Sequence, residues 1–275
     1  MSLSTVLFLF LAHLGVGIAL TLAFVARDAG VKFFRFNAGL AAILVAIALA
    51  FRHGALGAAA PAASPLDRYA LLALDMAEAI LVFYWATIGR AFTRIRTAIL
   101  WASIAAGLAA IVMQALALSQ ESSAVVQALT VASFVTSAAM LGGACTAMIL
   151  GHWYLVLPSM DVSYLQSIVD LHIGSMAARI VVVGAAIWFA IASWRPDVDP
   201  GPSFRHYIFS IDGIFFWQRV LFGLAGPAVL SYLTRETAKI RSTQSATGIL
   251  YVDFFTVVVG EVLAKYIVLA TRVPV

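Results

Sequence analysis

An all-α integral membrane protein, with about eight transmembrane helices in a bundle, is the fold class this sequence predicts. Three observations carry that expectation. Hydrophobic residues make up 63% of the 275 positions and charged residues only 11%. Mean hydropathy is +1.00, far above that of a soluble domain. Apolar runs of about 18 or more residues, the length that crosses hydrocarbon, recur along the whole chain. Between them no soluble stretch is long enough for a separate domain, so 1–275 reads as a single polytopic unit.

The spans fall approximately at 3–26, 36–52, 69–92, 97–118, 128–157, 164–194, 211–234 and 246–271. The first, "LSTVLFLFLAHLGVGIALTLAFVA", has no basic segment before it and is too long for a signal sequence, so it reads as a retained helix. The loop "HGALGAAAPAASPLD" separates the second and third spans. The prolines and glycine of "RPDVDPGPSFRHY" prevent helix continuation between the sixth and seventh. Within the seventh, "FGLAGPA" permits close packing and a kink at Gly223, Gly226 and Pro227. Past it, Arg235, Lys239 and Arg241 recur at near-helical spacing, which extends that helix beyond the apolar run. These three cations suit a topology signal with lipid-phosphate contacts, or the docking of an acidic partner.

Basic residues concentrate after spans one, three and seven: Arg27, Lys32 and Arg35; Arg90, Arg94 and Arg96; Arg235, Lys239 and Arg241. The opposite loops carry Arg52, Arg68, Arg195 and Arg205, with Arg272 near the end. The positive-inside rule then places both termini outside, which in a bacterial inner membrane is the periplasm. A net charge of +4 placed in short loops is a topology signal and argues against nucleic-acid binding. A single cysteine, Cys145, excludes an internal disulfide and a cysteine-held iron–sulfur cluster in this chain.

Ionisable side chains inside the spans are the functional signal, because each costs about 2.5–3.5 kcal/mol to insert without a partner or an aqueous cavity. Asp75 and Glu78, three apart on one helix face, Arg219 early in span seven, and Glu261 and Lys265, four apart in span eight, are expected in one outer layer. His13 sits just below it. Structural ion pairs, Glu261–Lys265 and Asp75–Arg219, are the plainer expectation for the same residues. A quinone headgroup would use this set differently, needing donors at its carbonyls and a carboxylate or histidine to exchange protons.

A second layer, toward the cytoplasm, contains His152, Trp153 and Tyr154, Asp170 and His172, and Asp253 from the last span. His172 and Arg179 share a helix face, seven residues apart. His152 and His172, on consecutive antiparallel helices, admit bis-histidine haem b ligation, while the neighbouring aromatic residues equally suit an interfacial belt. The chain has no phosphate-binding glycine loop and no metalloprotease histidine pair. Eight spans and the early acid pair depart from the rhodopsin pattern despite Lys265.

The eight spans, the outer N-terminus, His13 in the first span and acids near the outer face resemble the membrane anchors of polysulfide- and dimethyl-sulfoxide-reductase-type complexes. The resemblance is architectural. It implies quinol binding near the outer face, electron exchange with a partner iron–sulfur subunit and no redox metal in the chain itself. His13 matches a quinone-facing histidine on the first helix. The expected function is therefore a membrane subunit of an electron-transfer complex, surrounded by membrane lipid and other subunits. His13, Asp75 and Glu78 would exchange protons, and Arg219, Glu261 and Lys265 would tune or pair with them. A proton-coupled transporter using the same acids, and a structural or assembly subunit, are the alternatives.

Overall fold

A long apolar run can satisfy its backbone N–H and C=O groups without water only by hydrogen bonding along its own helix. The computed structural model describes residues 2–52, 64–92, 94–157, 160–195 and 202–275, and there the outcome is helical throughout. Long helices form at α1 (Leu3–Leu22), α2 (Gly30–Arg52), α3 (Pro65–Thr87), α4 (Arg96–Leu118), α5 (Ala124–Val156) and α6 (Ser163–Ser193). The short α7 (Phe204–Ile208) follows, then α8 (Gly213–Val220), a π turn over Leu221–Ala225, α9 (Gly226–Lys239) and finally α10 (Thr243–Thr271). Counting Gly213–Lys239 as one, the described residues contain eight helices long and apolar enough to cross a membrane.

Boundaries differ from the sequence expectation where turn chemistry outweighs hydropathy. The first helix stops at Leu22 and a single 3-10 turn, Arg27–Ala29, leads into α2, which begins at Gly30 and not near 36. α3 begins at Pro65 because Ser64 and Asp67 form a reciprocal capping box and proline suits a first helical position. The seventh span continues to Lys239, as its basic periodicity predicts. The predicted loops at 53–63 and 196–201 lie outside the described residues. After the second of these, Ser203 caps α7 by accepting from the His206 N–H.

α1 is the central element. It packs on α2, α5, α4 and α10, and 78% of its apolar window is buried, against 22% for α6 at the periphery. Small residues make this possible. A Cβ on Gly17 would fall 2.0 Å from the Ala138 carbonyl oxygen, and one on Gly142 the same 2.0 Å from the Gly17 carbonyl oxygen, so α1 and α5 touch backbone to backbone. Beside this crossing the Thr21 and Thr146 hydroxyls share a 2.6 Å hydrogen bond.

The π turn has a local cause. Pro227 lacks the N–H that would reach the Gly223 carbonyl, so the ladder cannot continue at i→i+4 spacing across it. The widened turn brings Gly223 against Gly260 of α10, where an added Cβ would meet Gly260 Cα at 2.6 Å. Arg219, on the last turn of α8, is thereby turned inward and is fully buried.

Candidate functional site

Glu261, on the buried face of α10, is the centre of a charge cluster assembled from four helices. Its Oε1 accepts from Arg179 Nε at 3.1 Å and from Arg219 Nη2 at 2.7 Å. Its Oε2 accepts from Arg179 Nη2 at 3.3 Å and from Ser137 Oγ at 2.5 Å. The Arg179 contact is thus bidentate, the geometry in which guanidinium and carboxylate hold each other most rigidly. Lys265, one turn further along α10, lies 3.7 Å from Oε2 and donates to Ser137 Oγ at 2.7 Å. Its ammonium also sits 5.0 Å from the Phe134 ring centre. Arg179 is anchored on its other side by Ser133, whose carbonyl and hydroxyl accept at 2.9 and 2.6 Å, and by the Val275 carbonyl at 3.1 Å.

Three cationic side chains therefore surround one carboxylate, and all four are buried. Such a set carries surplus positive potential, which favours loss of a proton from any hydroxyl held nearby.

His13 joins the cluster through Ser137, with Nδ1 and Oγ 3.4 Å apart. The inventory of one hydroxyl fixes the direction. Ser137 has a single hydrogen, donated to Glu261, so it can only accept from Lys265 and from His13 Nδ1–H. In the neutral imidazole Nε2 is then an acceptor. Its polar neighbour is Gln114 of α4, which lies within side-chain hydrogen-bonding reach of His13, although neither Nε2 nor the buried amide atoms make a well-aligned bond. The ring lies edge-on to Phe134 at 4.8 Å between centroids.

Gln114 and Phe134 line a cavity of about 250 Å³ at the end of the bundle where α1 begins and α10 finishes. Thr5, Phe8 and Leu9 form one wall, and Arg52, Asp67 and Arg272 are the charged lining groups. Arg272 caps α10 in the left-handed region, φ 63°, and donates to the Leu118 carbonyl at 3.2 Å. His13 stands just behind Phe134, so the cavity leads toward the charge cluster.

The structure brings together four of the expected residues: His13, Arg219, Glu261 and Lys265. It separates the rest. Arg219 hydrogen-bonds Glu261 and not Asp75, which corrects the expected Asp75–Arg219 pair. The reason is that the π turn directs Arg219 at α10, whereas α3 packs on α4 and α2. Asp75 is half-buried there. Glu78 instead lines a different, mainly apolar cavity of about 450 Å³ between α2 and α3, with Phe36, Ile43, Val82 and Trp85. The expected outer layer of five charges is therefore two separate sites.

The two histidines of the other layer also have different partners. His172 is fully buried with Nε2 2.9 Å from Asp253 Oδ2, while His152 is exposed and hydrogen-bonds the Tyr251 hydroxyl at 3.0 Å. The two imidazoles thus engage different residues of α10, Tyr251 and Asp253. Arg179, read from the sequence beside His172, belongs to the Glu261 cluster two turns away. Ser133, Ser137 and Gln114 carry no charge and gave no signal in an apolar run.

No family model, curated protein or solved structure matches the chain.

Proposed function

We propose that this chain is an integral membrane subunit of a respiratory or electron-transfer complex that binds quinone or quinol in the cavity above His13. The eight long apolar helices support the membrane setting, and the distribution of basic loops supports a reading with both termini, and with them the cavity, on the outer side of a bacterial inner membrane. One observation carries the reading. The Gln114 amide lines the cavity, and behind it lies the His13 imidazole, neither of them in a well-aligned hydrogen bond. Bound quinone supplies reversible two-electron, two-proton chemistry, and the residues present fit its polar head. The Gln114 amide nitrogen donates to a carbonyl, its oxygen accepts from a hydroxyl, and Phe134 offers a ring face.

The protein's own part is proton management. His13 Nε2 takes the proton of a hydroxyl, and Nδ1–H remains on Ser137. Lys265 and Arg179, close to His13 through Ser137, keep the proton from resting on the imidazole, so His13 passes it on, while Glu261 holds the three cations in register. Electrons would pass to a partner subunit, since the chain's single cysteine cannot hold a cluster.

Titrating the purified chain in nanodiscs with a short-tailed ubiquinol analogue tests the reading. Saturable binding is expected, weakened at least tenfold in Gln114→Ala and His13→Ala. Absence of saturable binding, together with lipid extracts free of quinone, overturns it. Solute flux driven by a pH gradient without quinone binding would mark the chain as a proton-coupled transporter.

A further inference from the structure

The His172–Asp253 contact is the other fully buried ionisable pair, and the quinone reading leaves it unused. Both side chains are 0% exposed, and Nε2 and Oδ2 lie 2.9 Å apart. Nevertheless neither of these atoms is in hydrogen-bond geometry, and His172 Nδ1 and Asp253 Oδ1 also lack partners among the described residues. Nδ1 and Oδ1 are therefore buried without partners beside the 2.9 Å ion-pair contact, a desolvation cost concentrated at this one spot. Glycine makes room beside them: a Cβ on Gly143 of α5 would come 3.2 Å from His172 Nδ1.

The position of the pair is as informative as its composition. Asp253 is eight residues before Glu261 on α10, and His172 seven before Arg179 on α6, so the two sites are about 11–12 Å apart along the helices. Asp253 lies about 15 Å from the start of α10, and Glu261 about 15 Å from its end. Each half of the bundle thus contains one buried ionisable site. The charged groups around the pair are the Glu261 cluster on one side and, toward the opposite end, the exposed Asp170–Arg235 ion pair and His152. Lys239 and Glu236 pair with each other at the surface, and the Cys145 thiol is buried on α5.

We infer that His172 and Asp253 form a second proton site, in which the imidazole binds one exchangeable proton beside the carboxylate in the half of the bundle opposite the cavity. The chemistry balances simply. Without the proton the pair is a carboxylate beside neutral imidazole, net charge −1; with it, imidazolium and carboxylate sum to zero. The proton is exchanged with bulk water at the end of the bundle that holds the Asp170–Arg235 pair. Charge links the two sites: positive charge gained at the cluster disfavours the proton at the pair, and the effect is reciprocal. Proton handling in this chain therefore involves both halves of the membrane and not the outer face alone.

The test is infrared difference spectroscopy of the purified chain in nanodiscs as bulk pH is changed. Wild type should show a carboxyl and imidazole signal from the pair, absent in Asp253→Asn and retained in Glu261→Gln. His172→Gln should abolish the pH-driven change in the carboxylate signal, so the inference stays testable if Asp253→Asn does not fold. A wild-type spectrum without such a signal, or one unchanged in Asp253→Asn and His172→Gln, overturns the inference. Quinone binding is read separately by titration. Its absence with the infrared signal intact would remove the quinone reading and leave this site standing.

Discussion

Ser137 and Glu261 are 124 residues apart in the chain, and their side chains meet at 2.5 Å in the middle of the bundle. Because the serine gives its one hydrogen to the carboxylate, it also determines which nitrogen of His13 carries a proton. Ser137→Ala removes that control along with the acceptor for Lys265. The expected loss is about 1.5–3 kcal/mol of stability, the range for hydrogen bonds to charged groups. Quinol binding should weaken, and nitrogen-15 spectra should show His13 in mixed tautomers. A single tautomer unchanged from wild type would refute the serine's role.

Glu261 is the side-chain carboxylate that faces all three cations of its cluster. Glu261→Gln should cost about 3–5 kcal/mol, because breaking a buried ion pair leaves charges without compensation. Replacing Arg219 and Glu261 together with methionine should recover only the share of that loss that belongs to Arg219, because Arg179 and Lys265 remain buried without their carboxylate. Unfolding in mixed micelles, arranged as a double-mutant cycle, measures the coupling. A cycle that closes additively would show that the contact contributes no coupling.

How much of this was legible beforehand follows from what hydropathy can detect. Eight helices, and the presence of His13, Glu261, Lys265 and Arg219 in them, could be read because charge in an apolar run is conspicuous. Their grouping was only half legible. Depth along a span placed Asp75 and Glu78 level with Glu261, but depth says nothing about which helices are neighbours. Helix packing decides that, and α3 packs on its chain neighbours α4 and α2, away from α10. Ser137 and Gln114 were invisible because neutral polar residues are ordinary in such helices. Pro227 was noticed as a kink, yet its larger effect, turning Arg219 toward Glu261, needed the position of α10.

Asp161, in the exposed connection before α6, provides a pH-dependent contact. Its carboxylate accepts from the Ser163 N–H at 3.0 Å, and this backbone bond, followed by one from the Ser163 side chain, holds its pKa below the ordinary aspartate value. With the folded pKa lowered, the contact contributes fully above the unfolded value of about 3.9 and is lost as pH falls through the lower folded value. Amides in the first turn of α6 should therefore exchange faster at acid pH, and Asp161→Asn should reduce that dependence. Hydrogen exchange followed by mass spectrometry reads both, and equal acid sensitivity in the variant would discount the contact.

Gly142 and Gly174 should respond to the same substitution with opposite sign. At Gly142 the added methyl would overlap the Gly17 carbonyl at 2.0 Å, an atom of rigid backbone, so α1 and α5 must separate. Overpacking of this kind costs about 1–3 kcal/mol. It should also stretch the 3.4 Å contact between His13 and Ser137, which spans the same interface, and so weaken quinol binding. At Gly174, on an exposed face of α6, nothing lies within 4 Å of the added atom. Alanine there should stabilise by about 0.4–1 kcal/mol by restricting the unfolded chain, with binding unchanged. Thermal unfolding and quinol titration of the two variants side by side separate interface geometry from helix propensity. Equal shifts in both would show that the α1–α5 crossing does not depend on backbone contact.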